Sequence, residues 1–194
     1  MRLLFLDIET VPNYSFKEYI KEKDKKTQKF KYGALNPFDG KVVAIAYKIE
    51  GEKKNILMEW ESSEKDILKK FYKIIDKDDI VFVGFNIATF DIPFLYERFR
   101  IHGFREEAYK KLFSYIIDLL QIHYPLNNYQ RKGLSFVALC NAYKIKLKKE
   151  SGESIRDYYY NKEYDRIIEY INNEFVHEEL YSLVRRKLRY SLGR

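Results

Sequence analysis

The sequence predicts an α/β domain built on a mixed sheet, an antiparallel hairpin attached to a parallel portion, with helices packed on it. Three observations predict this. The chain opens on "RLLFLD" at 2–7, apolar at Leu3, Leu4, Phe5 and Leu6 and so suited to burial on both faces, as a central strand is. Two further apolar runs, "KVVAIAYKI" at 41–49 and "NILMEW" at 55–60, are separated by a tight turn at Glu50-Gly51-Glu52, the pattern of a hairpin. From residue 64 onward, amphipathic helices alternate with short apolar strands, which is the signature of parallel α/β packing.

The elements follow in order. After the first strand, 13–40 reads as an irregular polar insertion with seven lysines between Lys17 and Lys31, ending at the turn signal Asn36-Pro37-Phe38-Asp39-Gly40. Ser62 and Ser63 can cap a helix over 64–75, with Ile67, Leu68, Phe71, Ile74 and Ile75 on one face. "IVFV" at 80–83 is a short buried strand, and Asp91 opens a helix running to about Phe99. Residues 115–119 supply the fifth strand and 134–143 a helix. One long helix is expected over about 164–190, because Ile167, Ile168, Ile171, Phe175, Leu180, Leu183, Val184 and Leu188 keep a period near 3.6.

A length of 194 residues fits a single domain over 1–194, large enough for a proper core. No apolar run approaches the length that spans a membrane. The chain enters its first strand at once, so no leader peptide is expected, and a lone cysteine, Cys140, excludes an internal disulfide and a cysteine-based zinc site. The expected compartment is the cytoplasm. A net charge of +7 suggests a polyanionic partner, although scattered lysines also serve solubility.

Four acids and one phenol carry the chemistry. Asp7 and Glu9 stand two apart on the first strand, so they share a face about 7 Å apart along the backbone. Two carboxylates held that close repel unless a cation lies between them. Either Asp7 merely ends the strand and Glu9 is solvated, or both bind a positive ion. Asp91, in "VGFNIATFDIPFL" at 83–95, is either a helix cap, with Pro93 in the first turn, or a ligand facing Asp7. The second option follows if the strands at 2–7 and 80–83 are neighbours, because ligands bind beyond the carboxyl ends of parallel strands. In "EYINNEF" at 169–175, Tyr170 and Glu174 are four apart and share a helix face. They are either a half-buried phenol beside a solvated acid or part of the same site, where the hydroxyl could orient a water.

"FLDIET", "NIATFDIPFL" and "YINNE" resemble, in order and spacing, the three motifs of the DEDD superfamily of 3′–5′ exonucleases, in its tyrosine branch, as in the proofreading domain of family B DNA polymerases. "NPFDGKVVAIAY", "IDLLQIHYP" and "GLSFVAL" resemble its connecting elements, so the likeness covers residues 2–190. It implies a ribonuclease H-like fold with a five-stranded mixed sheet. It also implies that Asp7, Glu9, Asp91 and Glu174 bind two divalent ions, Mg²⁺ or Mn²⁺, and that Tyr170 positions the attacking water. The superfamily places Asp where Glu174 stands here. The implied reaction removes 5′-mononucleotides from the 3′ end of single-stranded DNA or RNA. Thr10, Asn86 and Phe90 in the motifs, with Lys29 and Lys31 of the insertion, are the expected nucleic-acid contacts.

The insertion interleaves its lysines with Tyr14, Phe16, Tyr19, Phe30 and Tyr32, so it either arches over the site or is a solvated loop. Basic clusters at 144–149 and 185–190, and "DYYY" at 157–160, are read first as surface and packing residues. His177, three residues after Glu174, could lie near the acids and is given no role. Two other functions fit the same sequence: a nucleic-acid-binding module with impaired catalysis, and a structure-selective endonuclease.

Overall fold

Eleven residues, Arg2–Pro12, form the central strand β1 in the computed structural model of the protein. It describes residues 1–77, 79–147 and 153–191, and their side chains except those of Lys29, Glu153, Ser154, Arg189, Tyr190 and Ser191. The other strands are β2 (Gly40–Ile49), β3 (Asn55–Met58), β4 (Ile80–Gly84) and β5 (Ile116–Asp118), in the spatial order β3-β2-β1-β4-β5. β1 pairs antiparallel with β2 and parallel with β4, β2 pairs antiparallel with β3, and β4 pairs parallel with β5. The mixed α/β sheet anticipated from the sequence is therefore the observed one.

The helices are α1 (Phe16–Lys25), α2 (Gln28–Tyr32), α3 (Glu64–Ile75), α4 (Asp91–Ile101), α5 (Glu106–Lys110), α6 (Leu119–His123), α7 (Phe136–Ala142), α8 (Glu153–Tyr160), α9 (Tyr164–Glu174) and α10 (His177–Ser191). No described helix is long and apolar enough to cross a membrane. The alternation of β1 divides the core. Leu4, Leu6 and Ile8 face α3 and α4, where Leu68, Phe71, Leu95 and Phe99 are fully buried. On the other face, Phe5 packs with Leu180 and Val184 of α10, and Val11 with Ile167 and Ile171 of α9.

Three expectations are corrected. The insertion at 13–40 is helical for much of its length: Ser15 and Glu18 form a reciprocal capping box that starts α1, and Tyr19 is buried against Tyr160 with rings stacked 4.4 Å apart. The predicted long helix over 164–190 is two helices, broken at Phe175, whose backbone leaves the helical region (φ −76°, ψ 70°). α9 and α10 thus direct their apolar stripes into different parts of the core. Asp91 is the first residue of α4, not its cap; Phe90 holds the cap position and makes no side-chain capping bond. The basic cluster at 144–149 lies partly outside the described residues.

Gly84 ends β4, where a Cβ would meet the Ile87 side chain at 2.3 Å and the Leu6 carbonyl at 2.7 Å. Only glycine lets the turn after β4 close this tightly on β1. That closeness places the 85–91 loop over the C-terminal half of β1. α3 and α4 are tied together by Glu64, which accepts from Arg98 Nε (2.8 Å) and Nη2 (2.5 Å), His102 Nε2 (2.8 Å) and the Val42 amide (2.8 Å). Arg98 also donates to the Pro37 carbonyl at 2.8 Å.

Candidate active site

β1 continues past its pairing with β4, which ends at Phe5 opposite Val83. Beyond that point it carries Asp7 and Glu9 on the face that looks toward α9. In the antiparallel ladder Asp7 lies opposite Ala46 and Glu9 opposite Ala44. These small neighbours leave open space above the two acids. The ladder then slips between Glu9 and Thr10, a bulge of the kind that re-aims side chains at sites.

The Ile8 amide has no β4 partner at this level, and Asp91 Oδ1 accepts its proton at 3.0 Å. Asp91 is only 3% exposed, so the bond fixes the start of α4 against β1. From the opposite side α9 brings Tyr170, whose hydroxyl donates to Glu174 Oε2 at 2.8 Å. The result is one cavity of about 250 Å³ lined by Asp7, Glu9, Asp91, Tyr170 and Glu174, with Asn86 and Phe90 on its wall.

The electrostatics follow from crowding. Burial and then the Glu174 charge raise the Asp7 carboxyl to about 7. Glu9 is pushed well above its usual range by burial and by the charges of Asp7, Glu174 and Asp91. Asp91 rises for the same reasons, burial first and Asp7 second, against the Ile8 amide that favours its charged form. The Tyr170 hydroxyl is raised by burial and then by Glu9 and Glu174, which keeps it protonated. Asp7 and Glu9 thus feel the charge of Glu174 from more than 160 residues away in sequence, and Asp91 feels that of Asp7.

Four carboxylates on one cavity give hard oxygen ligands suited to Mg²⁺ or Mn²⁺, and their mutual repulsion is what a divalent cation relieves. The donor chemistry fits. As they stand, however, no three His, Cys, Asp or Glu side chains among the described residues are drawn together closely enough to hold an ion. The Glu174 carboxylate is engaged by Tyr170, and the Asp91 carboxylate by Ile8.

Of the residues singled out from sequence, Asp7, Glu9, Asp91, Tyr170, Glu174, Asn86 and Phe90 meet at this cavity. Thr10 and Lys31 do not line it. The Thr10 hydroxyl donates to the Ala34 carbonyl at 2.6 Å, and Lys31 is exposed on α2. The Lys29 side chain lies outside the described residues.

Two further residues, Asp118 and His177, shape this cavity. Asp118, at the end of β5, caps α6 through the Leu120 amide at 2.9 Å and also accepts from the amides of Asn86 (2.9 Å) and Ala88 (3.0 Å). It shapes the loop that presents Asn86, Phe90 and Asp91. An acid between an apolar strand and a helix was the available signal. His177 is 3% exposed, lines the cavity and stacks on Phe136 with centroids 5.0 Å apart. Burial lowers it to about 4, so the imidazole is neutral, and its Nδ1 has no hydrogen-bond partner among the described residues.

A five-stranded mixed sheet with an acid-lined cavity at the centre of β1 defines a DEDD-type 3′–5′ exonuclease domain of the ribonuclease H-like fold. Residues 13–149 match the family described as DNA polymerase family B, exonuclease domain, and the chain belongs to that family. Among solved structures, it resembles the family B DNA polymerase of the hyperthermophilic archaeon Pyrobaculum calidifontis, with a TM-score of 0.63 and 16% identity over 94% of this chain and 24% of the polymerase. It also resembles a product-bound exonuclease I, with a TM-score of 0.58 and 10% identity over 95% of this chain and 43% of the other. At such identities these likenesses speak for the fold. The chain spans a quarter to less than half of those proteins. No curated protein matches the sequence.

Proposed function

We propose that this chain is a single exonuclease domain that, with two divalent ions, Mg²⁺ or Mn²⁺, hydrolyses phosphodiester bonds from the 3′ end of single-stranded DNA or RNA and releases 5′-mononucleotides. The observation that carries the reading is that Asp7, Glu9, Asp91, Tyr170 and Glu174 line one cavity, where burial and the neighbouring carboxylates raise Asp7, Glu9, Asp91 and Tyr170. Asp7, Glu9, Asp91 and Glu174 are the groups that would hold the ions. Bound there, such ions supply activation of water and neutralisation of charge on the phosphate and on the departing 3′-oxygen.

The protein's own groups do the positioning. The Tyr170 hydroxyl donates its proton to Glu174, so its oxygen is left to accept a hydrogen bond from a water. Staying protonated, it orients that water without competing as a nucleophile. The Phe90 ring, packed on Phe94 at 5.6 Å, offers an apolar surface to the terminal base, and Asn86 offers a polar group beside it. Cys140, the lone cysteine, is buried, with its thiol pushed up to about 12 by desolvation, so it stays a protonated core residue outside the chemistry.

A second reading, a binding module with impaired catalysis, is favoured by the wide placement of the acids and by Glu174 at the fourth position. A 3′-labelled oligonucleotide incubated with Mn²⁺ separates the possibilities. The exonuclease releases labelled mononucleotide from the first turnover, and Asp7→Asn abolishes this while oligonucleotide affinity is retained. Longer labelled fragments would mark internal cutting. Tight binding without any product would leave only the binding module.

A further inference from the structure

A second cavity is larger than the acidic one. It is about 590 Å³, within the range of small-ligand sites, and is lined by Tyr14, Phe16, Lys41, Tyr159, Lys162 and Tyr164. Protein interiors are close-packed, so a void of this size walled by aromatic rings is not a gap in the core. Two of its walls are prepared. Lys41 Nζ is fixed at the base by Glu59 (3.0 Å) and the Tyr159 hydroxyl (2.7 Å). Tyr164 lies flat on Trp60, with ring planes 1° apart and centroids 4.8 Å apart. Phe16 is 57% exposed, and Lys162 is exposed with no ion pair among the described residues.

The cavity shares the acidic face of the sheet. Glu9 lies opposite Ala44 and Val11 opposite Lys41, so Lys41 is two residues further along β1 and three along β2. That is a separation of about 7–10 Å, or roughly two to three stacked nucleotides. We infer that the cavity formed by Tyr14, Phe16, Tyr159 and Tyr164 with Lys162 is a stacking subsite for a nucleobase, its phosphate facing the lysine. The base belongs to the strand whose 3′ end lies among the acids, which rests on the function proposed above. Aromatic faces accept any base, and a cation at the rim accepts the backbone phosphate, so the subsite holds the strand without reading its sequence.

Trp60 is the only tryptophan, so its fluorescence reports on this cavity. Octathymidylate, titrated in EDTA to prevent hydrolysis, is expected to change Trp60 emission saturably. The double variant Phe16→Ala/Lys162→Glu, altered only at exposed side chains, is expected to lose about tenfold in octathymidylate affinity. Thymidine monophosphate is the second arm: a response to it at similar concentrations assigns the site to free nucleotides, and a response only to the octamer assigns it to the strand. A silent Trp60 together with unchanged affinity in the double variant overturns the subsite, even if octathymidylate is hydrolysed in Mn²⁺. Failure of the protein to bind or hydrolyse either octathymidylate or octauridylate overturns both proposals.

Discussion

Asp7 shows what a single side chain contributes to the balance of this fold. Its carboxyl is raised to about 7 by burial and by Glu174, so the folded state holds its proton more tightly than the unfolded chain does. The stabilisation from that proton is complete below the ordinary carboxylate pKa of 3.8 and is lost as pH rises through about 7. Glu9 and Asp91 are raised as well and act in the same direction. In EDTA, the melting temperature is therefore expected to carry a downward component between pH 4 and pH 8. Asp7→Asn removes part of that component and melts higher than the wild type at pH 8. Calorimetric scans of both proteins across this range are the check, and identical slopes would show that the Asp7 carboxyl is not raised in the folded state. The pair Asp7 and Glu9 was legible because strand periodicity alone puts i and i+2 together. Asp118 was legible only as a cap for the Leu120 and Gln121 amides of α6, because its other partners, the Asn86 and Ala88 amides, come from a loop whose path no local pattern specifies.

Among the elements, the sheet was legible and the helix boundaries less so. Five apolar runs gave five strands, but β1 runs on to Pro12, since pairing with β2 continues where the apolar pattern stops. The break between α9 and α10 falls at Phe175-Val176, which carry neither glycine nor proline, so the continuous 3.6 period concealed it. The capping box of α1 was present in the sequence, but the density of lysines outweighed it. Least visible was the joint between α3 and α4. No local pattern marks Glu64 and Arg98 as partners, yet they are 6% and 5% exposed and bonded to each other. Burial alone would raise Glu64, but the bonds from Arg98, His102 and the Val42 amide outweigh it and hold the carboxyl below its usual range. Its contribution is thus present above pH 4.5 and lost as pH falls through the lowered value. Glu64→Ala strands a buried guanidinium and is expected to cost about 3–5 kcal/mol. A urea titration at pH 7 measures it, and a loss of less than 1 kcal/mol, the range of an exposed pair, would show that the joint is solvated.

For the whole molecule, the distribution of charge matters more than its sum. The chain carries +7, so divalent cations are on balance repelled from its surface. Against that background four carboxylates are gathered in one cavity from β1, α4 and α9, elements that share no local sequence. A cation bound there relieves their repulsion in the folded state only, because the unfolded chain disperses them. Mn²⁺ at about 100 times its dissociation constant should then add about 2.7 kcal/mol. For a chain of this size that corresponds to a rise of roughly 5–10 °C in melting temperature. Asp7→Asn/Asp91→Asn removes two of the four carboxylates and should abolish most of the rise, although its metal-free melting temperature should exceed that of the wild type. These opposite signs separate a loss of ligands from a loss of fold, which a drop in nuclease activity alone would not do. Equal Mn²⁺ shifts in both proteins would place the ion elsewhere, and no shift in either would leave the cavity a nucleic-acid contact without a metal.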